Sequence, residues 1–220
     1  MQEIENIIGY KFKNKSLLDL ALTHSSYVQK SNDLNNERLE FLGDAVLELS
    51  VSEFLYKNYK DMSEGELSRF RSKIVCETSL ALIAKKNHIG NYLKLSHGEE
   101  TSGGRNKNSI LSDALEAIFG AVFIDSNFSK AKAVVFNLLN STKGILDKNN
   151  IIDPKSHLQE LLQENSTQPI IYKIIDESGP AHKKTYVSQV SHEGKILGHG
   201  SGHTKKDSEQ QAALQAIKNL

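Results

Sequence analysis

Apolar residues in the first two thirds of the chain recur at helical spacing, with Ile4/Ile7/Ile8, Leu17/Leu18/Leu22, Leu80/Leu82/Ile83 and Val134/Val135/Leu138 each marking one face of a helix. No convincing strand alternation interrupts them, so residues 1–146 read as an all-α domain. The run Ile110–Ile124 is apolar nearly all round, which predicts a helix buried in the core. The polar stretch Thr142–Asp153 reads as a connection, with residues 147–152 as the linker proper. After it the pattern changes. Asp153-Pro154 starts a helix whose apolar face is Leu158, Leu161 and Leu162. Strand-like runs follow at Ile170–Ile175, Lys184–Val190 and Lys195–Gly198, with Glu193-Gly194 as the hairpin turn between the last two. Lys205–Leu220 closes as a helix expected to bury Ala212, Ala213, Ala216, Ile217 and Leu220. The fold class is therefore multidomain: an all-α N-terminal domain over 1–146, then a small α+β domain of order α-β-β-β-α over 153–220.

Composition sharpens the division. All three prolines lie beyond residue 150 and all eight phenylalanines before it. Lys+Arg and Asp+Glu number 27 each, so net charge points to no partner and any nucleic-acid surface must be local. One cysteine, Cys76, cannot form an internal disulfide, which fits a reducing, cytoplasmic setting; it reads as a small buried apolar residue. The opening residues lack a secretory signal, and no apolar run approaches the roughly 20 residues a membrane span needs.

Chemistry concentrates in Glu37–Ala45 (ERLEFLGDA). On a helix, Glu37, Glu40 and Asp44 fall within about 60° of one another, while Leu39, Leu42, Val46 and Leu49 share the opposite side as an expected buried stripe. Crowded carboxylates repel, at about 4 kcal/mol per pair 4 Å apart in an effective dielectric of 20, so they call for a cation. Taken alone, a solvated acidic face explains these nine residues equally well. The apolar helix 110–124 adds Asp113 and Glu116 on one face, where ionised groups are costly unless paired or bound to metal. Arg69, Arg71 and Lys107 are candidate neutralising partners. Otherwise the two acidic faces share a divalent cation, and oxygen donors without Cys or clustered His favour magnesium, or manganese in its place, over zinc. Gly43 and Gly120 are packing glycines that let the two helices approach. His24 reads as structural. The stretch Gly98–Ser109 reads as a flexible loop whose cations are Arg105 and Lys107.

With Ala21–Tyr27 (ALTHSSY) before it and Ser112–Asp125 (SDALEAIFGAVFID) after it, the ERLEFLGDA block resembles ribonuclease III, and the last seventy residues resemble a double-stranded RNA-binding domain. The resemblance spans essentially the whole chain. It implies a homodimeric, magnesium-dependent endonuclease of double-stranded RNA, acting on ribosomal precursors and structured messenger or small RNA. Glu40, Asp44, Asp113 and Glu116 match the family's metal-site carboxylates, with Asp44 and Glu116 central to catalysis. Glu37 and Glu64 match positions beside the site that contact RNA or support metal binding, although Glu66 nearby competes with Glu64. Phe41, the aromatic on the carboxylate stripe, matches a residue that plugs a pocket of the partner subunit; the alternative is a rim residue of its own core. A non-cleaving double-stranded RNA-binding protein is the other functional class, and retention of all four acids argues against it.

In the C-terminal domain the resemblance implies three RNA contacts: Gln159 and Glu160 on the first helix, His182, Lys183 and Lys184 in the loop after the first strand, and Thr204, Lys205 and Lys206 at the start of the last helix. Three departures stand out. Residues 151–220 hold eight lysines, no arginine and eight acids. Ser188 stands at an inward, usually apolar position, and Ser208-Glu209 replaces the usual Ala-Lys. These imply a competent but weak, salt-sensitive RNA module.

Overall fold

A computed structural model describes residues 2–28, 34–142, 145–146, 154–163, 166–180 and 184–220. The chain divides into two compact units, Met1–Asn150 and Ile151–Leu220. The first holds α1 (Gln2–Ile8), α2 (Lys15–Ala21), α3 (Glu37–Asn58), α4 (Glu64–Val75), α5 (Glu77–Lys86), α6 (His97–Thr101), α7 (Asn108–Asp125) and α8 (Phe128–Ser141). The second holds α9 (Pro154–Gln163), β1 (Ile171–Ser178), β2 (Thr185–His192), β3 (Lys195–Gly202) and α10 (Lys205–Asn219). The all-α and α-β-β-β-α readings both hold.

In the first unit α7 is the central helix, buried from Ile110 to Val122 except at Asp113 and Glu116, as its all-round apolarity predicts. Its main partner is α3, and the contact is backbone to backbone. A Cβ on Gly43 would lie 1.8 Å from the Glu116 carbonyl oxygen, and one on Gly120 would lie 2.2 Å from that of Leu39. The buried face of α3 differs from the expected leucine stripe. Leu39 and Val46 are buried, but Leu49 is 56 % exposed, and the buried row runs through Gly43, Leu47, Ser50, Val51 and Leu55. Small residues set this contact, so the buried face is rotated by about 100° from where counting leucines puts it. The opposite side of α3 is left with Phe41, 82 % exposed, Leu49 and Tyr56 along one stripe.

Two further expectations are corrected. Residues 97–106 form α6 and a 3-10 turn (Gly104–Asn106) rather than a flexible loop. Arg105 donates to the Gly90 and Leu93 carbonyls at 2.9 Å and pairs with Glu100, while Lys107 bonds Glu99 and Ser102. These cations are spent on local structure. Cys76, at the α4–α5 junction, is half-buried rather than core. Burial raises its thiol pKa, but hydrogen bonds with Ser79 and Thr78 outweigh that and hold it below the usual range.

The second unit is an antiparallel meander in the order β1-β2-β3, and α9 and α10 close one face over Leu158, Val190, Ala212, Ala213 and Ala216. The hairpin turn is at Glu193-Gly194, both with positive φ (51° and 77°). β1 starts at Ile171 and runs to Ser178, and β3 continues to Gly202, past the expected end at Gly198. Glycines disfavour strands, but here they admit a helix: a Cβ on Gly200 would sit 2.0 Å from the Ala212 nitrogen. Leu220 is 65 % exposed and not part of the core. Ser188 and Ser208, both fully buried, satisfy each other with a 2.6 Å hydroxyl–hydroxyl hydrogen bond, which explains two polar residues inside this sheet–helix layer.

Candidate functional site

The first turns of α3 carry Glu37, Glu40 and Asp44, and α7 presents Asp113 and Glu116 beside them. One carboxylate oxygen each from Glu40, Asp113 and Glu116 lies within 4.8 Å of the others. All three side chains are half-buried, and among the described residues no lysine or arginine pairs with them. The neutralising partners considered from the sequence are otherwise engaged in two cases, with Arg71 donating to Ser52 and Lys107 bound to Glu99.

The electrostatics match the geometry. Burial, then Asp44, Asp113 and Glu40, push the Glu116 acid up to about 8. Glu40 is raised by burial and by Asp113, Glu37 and Asp44. Asp113 is raised chiefly by burial, partly offset by a 3.2 Å hydrogen bond from Ser112. Three clustered acids whose proton affinities are all raised, with no lysine or arginine paired to them among the described residues, are a group that could hold a divalent cation, and their hard oxygens are the donor type magnesium and manganese prefer. Asp44 is exposed and falls outside the 4.8 Å group, yet among charged neighbours it raises Glu116 the most.

Glu37 opens α3 and is exposed. Glu64 opens α4, exposed, and accepts from Ser68 at 2.8 Å within its own helix. Glu66 closes a capping box, accepting from the Ser63 backbone at 2.7 Å. The cap occupies Glu66 and leaves Glu64 the outward-facing acid of the pair. His24 caps the 3-10 turn Ser25–Tyr27, its Nδ1 accepting from the Ser26 backbone at 3.1 Å, the structural role expected.

In the second unit, Gln159 is exposed on α9 and Glu160 is half-buried. Thr204 caps α10 through Asp207, leaving Lys205 and Lys206 exposed at its positive end. Lys184 pairs with Glu177, so its charge is partly offset. His182 and Lys183 lie outside the described residues. Among the described residues no helix is long and apolar enough to cross a membrane. Sequence reasoning missed the pair Lys155–Glu209, 2.7 Å apart; Glu209 was noticed only as a departure.

A ribonuclease-III-like family model matches residues 14–142, and a double-stranded RNA binding motif matches residues 154–220. Ribonuclease 3 of Desulforamulus reducens is 48% identical over 221 residues, covering 97% of this chain and 88% of that protein. Ribonuclease 3 of Caldanaerobacter subterraneus subsp. tengcongensis is 46% identical over 224 residues, covering 99% and 96%. Among solved structures, a nuclease domain of ribonuclease III from Campylobacter jejuni matches with a TM-score of 0.61 and 46% identity, over 64% of this chain and 96% of that one.

Proposed function

The chain belongs to the ribonuclease III family, and on that premise we propose that it is a magnesium-dependent endoribonuclease that hydrolyses double-stranded RNA, leaving 5′-phosphate and 3′-hydroxyl ends. The observation that carries the reading is the unpaired triad Glu40, Asp113 and Glu116. These three, with Asp44 beside them, would hold the ion. A bound divalent cation supplies an activated water and screening of the scissile phosphate, with manganese able to substitute. The chain's own part is positional. The backbone contact at Gly43 and Gly120 fixes the α3 acid against the α7 acids, and Glu116, its acid pushed up to about 8, would release its proton in holding a cation. Glu37 and Glu64, exposed at the openings of α3 and α4, are assigned to RNA contact or support of the ion.

The second unit supplies duplex affinity: Gln159 and Glu160 toward one minor groove, Lys184 with His182 and Lys183 toward the next, and Thr204, Lys205 and Lys206 toward phosphates between them. The active form is a homodimer in the cytoplasm. The related Campylobacter jejuni nuclease domain has a region involved in dimer formation. Here the exposed stripe of Phe41, Leu49 and Tyr56 offers an apolar face, which disfavours Phe41 as a rim residue of its own core. Substrates are ribosomal RNA precursors and structured messenger or small RNAs.

The test incubates a long duplex RNA with the chain in Mg²⁺ or EDTA, beside Glu116→Ala. Cleavage is expected with Mg²⁺ alone and not with the variant, which still binds RNA in EDTA. Intact RNA with Mg²⁺ would leave only the non-cleaving reading.

A further inference from the structure

We propose that Lys155, Glu209 and Tyr172 form a clamp that positions α9 against α10 for duplex RNA, making Lys155 and Glu209 positioning residues rather than surface charges. The inference rests on the RNA-binding role proposed for this unit. Lys155 Nζ lies 2.7 Å from Glu209 Oε2 and 4.3 Å above the Tyr172 ring. The two charged side chains are 36% and 25% exposed, so water and salt screen them less than a free surface pair.

Placement argues for purpose. Lys155 is the second residue of α9, at the positive end of the helix dipole, where a cation is disfavoured. Its contacts with Glu209 on α10 and Tyr172 on β1 offset that placement. Glu209 stands three residues after Lys206, near phosphate-facing lysines, where an unpaired acid would repel RNA. Pairing with Lys155 offsets that charge and ties the helices together. Beside it the α9–α10 contact is apolar, with Leu158 over Ala212, Ala213 and Ala216 and with Leu162 and Ile217 packed against that cluster, and apolar burial is non-directional. The ion pair adds direction. It fixes the spacing between Gln159, one turn along α9 from Lys155, and the lysines that open α10.

The test measures binding of a duplex RNA of about 20 bp to the full-length chain in EDTA by fluorescence anisotropy, across a salt series. The chains compared are wild type, Glu209→Ala, Glu209→Lys and the exchanged double variant Lys155→Glu/Glu209→Lys, with circular dichroism as the check of fold. A clamp predicts that Glu209→Ala and Glu209→Lys weaken binding about fivefold or more, although both remove an acid. The exchanged pair binds more tightly than either Glu209 variant without reaching wild type, because the ion pair returns while the cation–ring contact with Tyr172 does not, and its salt slope is unchanged. A surface charge predicts the reverse: tighter binding on loss of the acid, and a slope steeper by about one for Glu209→Lys. Single variants that bind as tightly as wild type overturn the clamp alone. So does an exchanged pair that stays weak while folded. A wild-type chain that fails to bind the duplex overturns the functional reading and the clamp with it.

Discussion

Replacing Gly43 with alanine puts a methyl group where the α3 and α7 backbones already touch. The new Cβ would lie 1.8 Å from the Glu116 carbonyl oxygen, 2.5 Å from its carbonyl carbon and 2.9 Å from the Gly120 nitrogen. Ordinary contact begins near 3.4 Å, so the helices must part by about 1.6 Å. None of these atoms belongs to a side chain that can swing away. Overpacking of this kind costs about 1–3 kcal/mol or more, which corresponds to a fall of roughly 2–12 °C in melting temperature for a unit of this size. The chemical cost should be larger. Glu40 rides on α3 while Asp113 and Glu116 ride on α7, and a shift of about 1 Å in a reacting constellation can cost about 10²-fold in rate. Thermal melts in EDTA give the first quantity, and initial rates of duplex RNA cleavage over a magnesium series give the second. Gly98→Ala is the control, because nothing lies within 4 Å of its added Cβ. A Gly43→Ala chain that melts with wild type and cleaves at the wild-type rate would refute the account of how the site is assembled.

The Glu116 acid, raised to about 8, keeps its proton in the folded metal-free chain at a pH where the unfolded chain has lost it. The folded state then binds more protons, so this group's contribution to stability falls as pH rises from about 4.5 to about 8, while magnesium affinity climbs. Urea midpoints in EDTA at pH 6 and 8.5, wild type against Glu116→Gln, check this; equal pH slopes would refute it. Phe41→Ala removes the most exposed aromatic of the α3 stripe and should shift sedimentation at micromolar concentration from dimer toward monomer with the fold intact. A wild-type chain that sediments as a monomer would dispose of that assignment. In the second unit Ser208→Ala strands the Ser188 hydroxyl and should cost about 1–3 kcal/mol. The Ser188→Ala/Ser208→Ala double variant should be less destabilised than Ser208→Ala, and denaturant melts that rank them the other way would show that the pair is not the cause.

What was legible in the sequence followed from hydrophobic burial. The central helix α7 announced itself because nearly every face is apolar, and that same background made Asp113 and Glu116 conspicuous. The face of α3 was misplaced for the converse reason. Its contact runs through Gly43 and Ser50, which add little to any hydrophobic pattern, so the eye goes to Leu49, which faces solvent. Glycine misled again in β3, where Gly200 and Gly202 read as a break but admit α10 to the sheet. Residues 97–106 looked mobile because their order comes from side chains reaching sideways, Arg105 to two carbonyls and Lys107 to Glu99, and one-dimensional patterns do not carry such bonds. Likewise the Ser188–Ser208 pair makes sense only once β2 and α10 are seen to face each other.

The acids of α3 therefore acquire their meaning from α7, through a glycine contact that a hydrophobic pattern does not mark. On an isolated helix Glu37, Glu40 and Asp44 would repel one another weakly in water and nothing more. Glycine at 43 and 120 brings the α7 backbone in, and that approach, more than the count of acids, gathers the three carboxylates and lifts Glu116 to about 8. The same rotation of α3 leaves Phe41, one residue from Glu40, at the surface. Packing of α3 on α7 thus determines both how the carboxylates are gathered and which aromatic is left exposed. A disturbance at the glycine contact should be felt at both places, whereas loss of Phe41 should leave the carboxylate triad of the single chain unchanged.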